Sequence, residues 1–155
     1  MTKVQRINSI QEVQDEIKKR LTDNVYFERA KVTVLCENAL DIDYMITKSL
    51  GTLGICCVVQ TPRFEFIGKD DDSHPVWSIP EFQIVITEQP TINRSRAGAS
   101  TALDAALIAA ESLNEIPDIG LVDIQQTDIQ GLITVVVTFS TSVQFGYARQ
   151  DLPSV

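Results

Sequence analysis

One unbroken apolar run limits the folds open to this chain more than any other feature of its sequence. The segment ICCVVQTP, residues 55–62, has no polar side chain other than its two cysteines before Gln60. Such a run is typical of a strand covered on both faces, because a strand with one solvated face alternates apolar and polar residues. We therefore expect this strand to lie inside a sheet.

The two ends of the chain have different patterns. Apolar residues at helical spacing predict an amphipathic helix at about residues 9–22, where Ser9 and Glu12 fit a capping box. The last residues, about 144–155, are predicted to form an extended tail. Since no linker or internal repeat divides residues 1–155, we expect a single domain.

The segment before the apolar run predicts a strand and then a short helix. β-Branched residues favour a strand at 31–36, and DIDYMITKSLGTLG, residues 41–54, has apolar positions on one helical face, with Asp41 as the predicted N-cap. The order strand, helix, strand is compatible with a right-handed parallel crossover to residues 55–62, although the helix is short for one.

The middle of the chain predicts two strands separated by a protruding segment. RFEFI, residues 63–67, is predicted to be an outer strand, and the charged segment 68–80 is predicted to be a protruding loop or hairpin tip. EFQIVITE, residues 81–88, alternates, with Phe82 and two isoleucines on one face. This alternation is typical of a half-buried antiparallel strand.

The C-terminal third predicts a helix and a hairpin. The alanine-rich stretch 100–114 has high helical propensity, and the strand-like runs 121–129 and 132–140 are separated by a turn near Gly131. The complete order of elements predicts an α+β fold: a mixed, mostly antiparallel β-sheet with helices packed on it.

Charge and cysteine content limit the classes of function. The chain has 21 acidic and 13 basic residues, so its overall field repels phosphate backbones and disfavours a general nucleic-acid binder. Cys36, Cys56 and Cys57 lie in apolar runs and are predicted to be buried thiols of a reducing cytoplasm. No apolar run approaches the roughly 20 residues of a membrane span, so we expect no membrane partner.

No set of residues has the spacing that catalysis or metal binding requires. His74, the one histidine, follows the acidic residues 70–72 on a predicted loop without the spacing of a coordination cage. Carboxylates at Glu65, Glu81 and Glu88 offer acid–base pairs, but we expect them on a solvated strand face. No phosphate-binding glycine motif occurs. We therefore predict no catalytic residue, no metal, no cofactor and no enzymatic activity.

The segment EQPTINRSRAGAS, residues 88–100, is the strongest candidate for chemistry. Arg94 and Arg96 precede the start of a predicted helix, where backbone N–H groups favour an anion. A second interpretation is that Asn93 forms a turn, a hydroxyl at the helix start caps the helix, and the arginines pair with acids of the same or a neighbouring subunit. We favour the second, because such caps are common.

Several short motifs together resemble a known class of proteins. They are EN and then DID before a short helix, LG before an apolar strand, TP at its end, and E-x-P-x-INRS after an alternating strand. With the small-residue helix that follows, residues 30–140 resemble the small α/β proteins of tailed-phage and prophage structural modules. The closest functional class is the tail terminator or tail-completion protein of the head–tail connection.

This resemblance implies a structural virion protein, assembled in the bacterial host cytoplasm, without catalytic residues. It implies a homo-oligomeric ring, commonly a hexamer, that caps the tail tube and joins it to neck or head-completion proteins, while DNA passes through the lumen without specific binding. The segments 68–80 and 89–99 are then the natural subunit or partner contacts. The predicted contact residues are Asp71, Asp72, Trp77, Asn93, Arg94 and Arg96.

Two other functions stay open at this point. One is a small anion- or nucleotide-binding domain, or an enzyme, that uses the loop 93–101. The other is a host-side adaptor with the same fold.

Overall fold

A mixed β-sheet with helices packed on it forms the framework of this chain, as the sequence predicts. The computed structural model describes the backbone of residues 5–7, 10–116 and 119–145, and the side chains of residues 11–116 and 119–144. Two central strands of 14 residues each carry most of the pairing. The fold class is therefore α+β.

Five helices and seven strands occur in the described residues. The helices are α1 (Ile10–Thr22), α2 (Val25–Ala30), α3 (Ile42–Thr52), α4 (Pro90–Asn93) and α5 (Ala102–Asn114). The strands are β1 (Gln5–Ile7), β2 (Thr33–Cys36), β3 (Ile55–Val59), β4 (Glu65–Lys69), β5 (Pro75–Glu88), β6 (Gly120–Ile129) and β7 (Leu132–Phe145).

The strand order is set by β5 and β7, which pair with each other along most of their length. On its other side β7 pairs with β6 antiparallel and with β1 parallel. On its other side β5 pairs with β3 and β4, both antiparallel. The strand β2 pairs parallel with β3, the pairing with which the order strand, helix, strand is compatible.

The main core lies on the sheet face that α1 and α5 cover. It contains Ile55, Cys57 and Val59 of β3, together with apolar residues of both helices and of β5 and β7. The alternate residues Cys56 and Val58 are buried as well, and α3 contacts β2 and β3. The apolar run is thus covered on both faces, as its composition predicts.

The hairpin tip predicted within residues 68–80 is present, but it is shorter than the predicted segment. The strand β4 ends at Lys69 and β5 begins at Pro75, so the turn between them spans residues 70–74. The strand that we assign to 81–88 extends six residues further towards the N-terminus. Asp41 makes no side-chain capping hydrogen bond to α3. The helix α2 is absent from our predictions, although Asn24 caps it by accepting from the backbone N–H groups of Tyr26 and Phe27.

Other terminal and turn predictions have mixed outcomes. The first helix begins at Ile10, within one residue of the prediction, while Ser9 of the proposed capping box lies outside the described residues. The hairpin turn near Gly131 is confirmed, and both Gln130 and Gly131 have positive φ, as tight hairpin turns require. The strand β7 reaches Phe145, so residues 144 and 145 of the predicted tail are in a strand, and the rest of that prediction lies outside the described residues. No described helix has the length and apolar content of a bilayer span.

Candidate functional site

The loop between β5 and α5 contains a network of hydrogen bonds around one buried carboxylate. Glu88 ends β5 and has no exposed surface. After it, α4 brings Asn93 back under the strand, and Thr101 accepts from the backbone N–H of Asp104 to cap α5. We call Glu88, Asn93, Arg94, Arg96 and Ser100 the Glu88 network.

Four hydrogen bonds saturate the carboxylate of Glu88. Its Oε2 accepts from Asn93 Nδ2 at 2.8 Å and from Arg94 Nε at 3.1 Å. Its Oε1 accepts from the backbone N–H of Ala102 at 3.1 Å and from Arg94 Nη2 at 3.4 Å. An ionised carboxylate offers about four acceptor sites, so none is left for a substrate proton or a metal ion.

The surrounding hydrogen bonds stabilise the ionised form of Glu88. Burial alone would raise the pKa of its carboxyl group, because the charged form loses its hydration. The hydrogen bonds from Arg94, Asn93 and Ala102 outweigh burial, so the pKa of Glu88 lies below its ordinary value. A general base needs a pKa near the working pH, and a carboxyl group with a lowered pKa is poorly suited to that task.

The guanidinium of Arg96 closes the C-terminal ends of two helices. It donates from Nη2 to the carbonyl oxygen of Ala30, the last residue of α2, at 3.1 Å. It donates from Nε to the carbonyl oxygen of Leu53, the residue after α3, at 2.9 Å. A cation at this place satisfies orphan carbonyl groups and opposes the negative end of each helix dipole. A third bond, from Nη2 to Asn93 Oδ1 at 2.8 Å, ties Arg96 to the network.

Close packing holds Asn93 at the centre of the network. Asn93 is fully buried, and its Nδ2 also donates to the carbonyl oxygen of Ser100 at 2.7 Å. Gly54, with φ of +79°, lies so close that a Cβ on it would stand 2.3 Å from the backbone nitrogen of Asn93. The hydroxyl groups of Tyr26 and Ser100 form a hydrogen bond, with 2.8 Å between Tyr26 Oη and Ser100 Oγ. Asn93 therefore has no surface to offer a partner subunit.

The arrangement of the two arginines favours a fastening role over an anion site. Arg94 is directed to Glu88, although about half of its side chain is exposed. Arg96 is directed to three acceptors within the chain. The pairing of Arg94 with an acid of the same subunit is the outcome that our favoured interpretation predicts.

A second group of predicted residues lies on the hairpin of β4 and β5. Asp71 and Asp72 are exposed at its turn, while Trp77 is half-buried on β5, opposite Phe66 of β4. The two rings meet edge to face, with centroids 5.7 Å apart. Phe66 and its neighbour Ile67 are 55% and 57% exposed, so the hairpin presents apolar surface next to acidic charge.

The turn itself brings together one group that the sequence spacing does not predict. Ligand atoms of Asp70, Asp72 and His74 lie within 4.8 Å of one another. The carboxylate of Asp70 is already used within the chain: Oδ1 accepts from the backbone N–H groups of Asp72 and His74, and Oδ2 from Gln144 Nε2. These bonds, the one from Gln144 first, lower the pKa of Asp70 to about 2. The geometry is that of a turn stabilised by its own aspartate.

The three cysteines are buried free thiols, as the sequence predicts. Burial raises the pKa of Cys36 and of Cys57, and it raises the pKa of Cys56 to about 11. Because the thiolate is the nucleophile, these thiols are unreactive in the folded chain.

Glu88 is the residue of the network that the sequence analysis expects on the wrong face of its strand. Glu65 and Glu81 lie on solvated strand positions, as expected, whereas Glu88 is buried. The signal was present in the alternation of β5: Phe82, Ile84 and Ile86 point to the core, and the next residue of that period is Glu88.

Comparison with known proteins does not assign this site. No family model matches the chain, and a search of curated proteins found no match.

Proposed function

We propose that this chain is a structural subunit of a tailed phage, a tail terminator or neck protein that acts by self-association into a ring and by docking to the tail tube and the head. The motifs described above support the class of protein. The saturated Glu88 network supports a structural role over a catalytic one, since its polar groups bind one another. In this proposal the ring is a component of the virion, and DNA passes through its lumen without specific binding.

The observation that carries self-association is the position of the exposed apolar side chains. Many of them lie on the outer strands of the sheet: Phe66 and Ile67 on β4, and Leu121, Val122 and Ile129 on β6 are each between 44% and 64% exposed. Exposed apolar side chains that are neighbours on one strand, as on β4 and on β6, are typical of protein–protein contacts. Outer strands also carry unpaired backbone groups that a neighbouring subunit can use.

The acidic charge supports the part of the proposal that concerns DNA. The chain carries a net charge of −8. A lumen lined by such subunits repels the phosphate backbone, so DNA would slide through it without binding.

The mass of the protein in solution tests the proposal. Size-exclusion chromatography with light scattering is expected to give a multiple of the 17.2 kDa chain mass, and negative-stain electron microscopy is expected to show rings with a central opening. A mass of one chain at every concentration contradicts self-association. Added purified tail tubes should carry the ring at one end only.

A matched pair of variants locates the contact. Phe66→Ser combined with Ile67→Ser removes exposed apolar surface from the hairpin and should lower the assembled fraction without changing thermal stability by more than a few degrees, because both side chains are already exposed. Val25→Ser removes an equally exposed side chain from α2, away from the hairpin, and serves as the control. Equal assembly of both proteins would remove the hairpin from the contact.

A further inference from the structure

We propose that neighbouring copies of this chain join edge to edge, with β6 of one copy pairing antiparallel to β2 of the next. This inference rests on the self-association in the proposed function and names the surfaces that carry it. The occupant of each surface is a second copy of the same chain.

The strand β6 is an exposed edge to which another strand can be added. Nine of its ten residues are exposed, and Ile124 alone is half-buried. In the described part of the chain it pairs with β7 and with no other strand. Its sequence GLVDIQQTDI has no proline, lysine or arginine, the residues that usually protect an exposed edge. After a bulge near Val122 it runs regularly to its end.

The strand β4 shows what a protected edge looks like in the same protein. It has only five residues, a register shift between Phe66 and Gly68, and a lysine at position 69. Short length, a bulge and lysine all discourage pairing with another chain. The contrast leaves β6 as the longest regular edge in the described residues.

The opposite edge of the sheet offers a place for β6. There β2 pairs only with β3 among the described strands. Beside it is an open groove of about 340 Å³, lined by α1, by Leu35 and Cys36 of β2 and by the segment up to Met45 of α3. Leu40, at the rim of this groove, is fully exposed. An extended segment commonly binds a protein by adding a strand to a free sheet edge.

The strand directions of the two edges are complementary. The strand β6 runs antiparallel to β7, β7 antiparallel to β5, and β5 antiparallel to β3, which is parallel to β2. The strand β6 therefore runs opposite to β2 within one sheet. Two copies placed side by side in the same orientation meet with an antiparallel pair, the pattern that gives the straighter hydrogen bonds.

The two edges also lie at the same level of the sheet. One row of paired residues runs from Ile124 through Val137, Ile84 and Val59 to Cys36. Three residues away, a second row runs from Thr127 through Thr134, Thr87 and Cys56 to Thr33. A second copy set beside the first without a vertical shift thus brings the four residues of β2 against residues 124–127 of β6.

The groove beside β2 offers one cation, Lys18, to the acidic strand β6. The strand β6 carries Asp123 and Asp128 and no basic residue. The groove beside β2 is lined by Lys18 of α1. Asp15 also lines the groove, and Gln11 Nε2 donates to its Oδ1 at 2.8 Å. Because the two edges differ, the contact is heterologous, and repetition of a heterologous contact closes a ring when the rotation allows.

A pair of cysteine substitutions tests the register directly. Thr33→Cys with Thr127→Cys places a new thiol on β2 opposite a new thiol on β6 of the next copy, within the reach of a cross-strand disulfide. Oxidised glutathione should convert this variant to disulfide-linked chains on a non-reducing gel. Thr33→Cys with Gln126→Cys, one residue away and on the other face, should stay uncrosslinked, and so should each single variant. Equal crosslinking of the two double variants would overturn the register.

A second experiment tests the pairing of β6 without crosslinking. Gln125→Lys with Thr127→Lys places two lysines on an exposed strand, so the fold should tolerate them while the edge is blocked. Sedimentation velocity should show a shift to the 17.2 kDa monomer. The control, Thr22→Lys with Asn114→Lys, changes two exposed helical residues and should assemble as the unmodified chain does.

The outcomes separate this inference from the proposed function. If the unmodified chain assembles and the β6 lysine variant assembles equally well, the pairing of β6 with β2 is wrong and the ring proposal stands. If the unmodified chain is a monomer at every concentration, both are wrong.

Discussion

The Glu88 network and the strand β6 are opposites in how they use their polar groups. In the network, side-chain donors and acceptors are directed to one another and to backbone groups, and Glu88 and Asn93 are fully buried. In β6, nine of ten residues are exposed and the outer backbone groups have no partner strand in the described residues. In our proposal these are two tasks: the network fastens one subunit, and the edge contacts another.

This difference changes where function is sought. Arginines in a loop before a helix attract a functional interpretation from sequence, yet here Arg96 holds the ends of α2 and α3 in place. A strand with few charges attracts little interest, yet in our proposal the unpaired edge of β6 is the surface that binds a second copy. Predictions about the two regions should therefore differ in kind: changes in the network alter stability, and changes at the edge alter assembly.

The largest effect is expected where backbone packs against backbone. Gly54→Ala would place a Cβ 2.3 Å from the nitrogen of Asn93, at a residue with φ of +79°. We expect the free energy of unfolding to fall by about 3 kcal/mol or more, as overpacking and left-handed strain add. Urea unfolding measures it. Gly51→Ala, with no atom within 4 Å of the new Cβ, is the control and should raise stability by up to about 1 kcal/mol.

The next effect is expected at the carboxylate. Glu88→Gln keeps the shape of the side chain but turns an amide towards Asn93 Nδ2 and the Ala102 N–H, and each buried donor left without an acceptor costs about 1–3 kcal/mol. We expect a loss of about 2–3 kcal/mol in urea unfolding. Glu65→Gln, on an exposed strand, should stay within about 0.5 kcal/mol. Equal losses for both would mean that Glu88 is not the centre of the network.

The two arginines should differ from each other. Arg96→Ala removes a donor from the carbonyl oxygens of Ala30 and Leu53, and we expect it to cost about 2 kcal/mol. Arg94→Ala should cost less than Arg96→Ala, because the side chain of Arg94 is half exposed and Glu88 keeps two other donors. Thermal melts with and without phosphate sharpen the comparison: stabilisation of the unmodified chain that both variants lose would favour the anion-binding alternative.

The smallest effect is expected from pH. The pKa of Glu88 is lowered in the folded chain, so its contribution to stability is fully present above its ordinary pKa of 4.5 and is lost as the pH falls through the lowered value. Stability should therefore decrease as the pH falls below about 4.5, and the decrease should be shallower in Glu88→Gln. Glu81→Gln, at an exposed position, should keep the slope of the unmodified chain. Identical slopes in all three proteins would contradict the lowered pKa.

The elements of the fold could be predicted from the sequence wherever a periodic pattern of apolar residues extended over several residues. The run at 55–62, the alternation at 81–88 and the hairpin at Gly131 all gave the right element, because burial on a sheet imposes a period that composition reveals. The segment 68–80 was predicted only in part: the hairpin tip is present, but residues 75–80, whose charged and proline neighbours are typical of turns, belong to β5, which pairs with β4 and β7. Cross-strand pairing overrode local preference.

The site could be read only in part. The pairing of Arg94 with an acid and a hydroxyl cap on α5 follow from local chemistry, and both are present. The role of Arg96 depends on Ala30 and Leu53, which are 66 and 43 residues away along the chain. No local pattern encodes contacts of that separation, so only the folded structure shows them.

Assembly of the double variant Arg94→Ala/Arg96→Ala is the measurement that tests the central claim most directly. Its mass and that of the unmodified chain should be measured side by side by light scattering, under conditions where both are folded by circular dichroism. If the network serves the subunit and the edges serve the ring, both proteins should have the same mass, a multiple of 17.2 kDa. A folded double variant that stays a monomer while the unmodified chain assembles would contradict it, and so would two monomers.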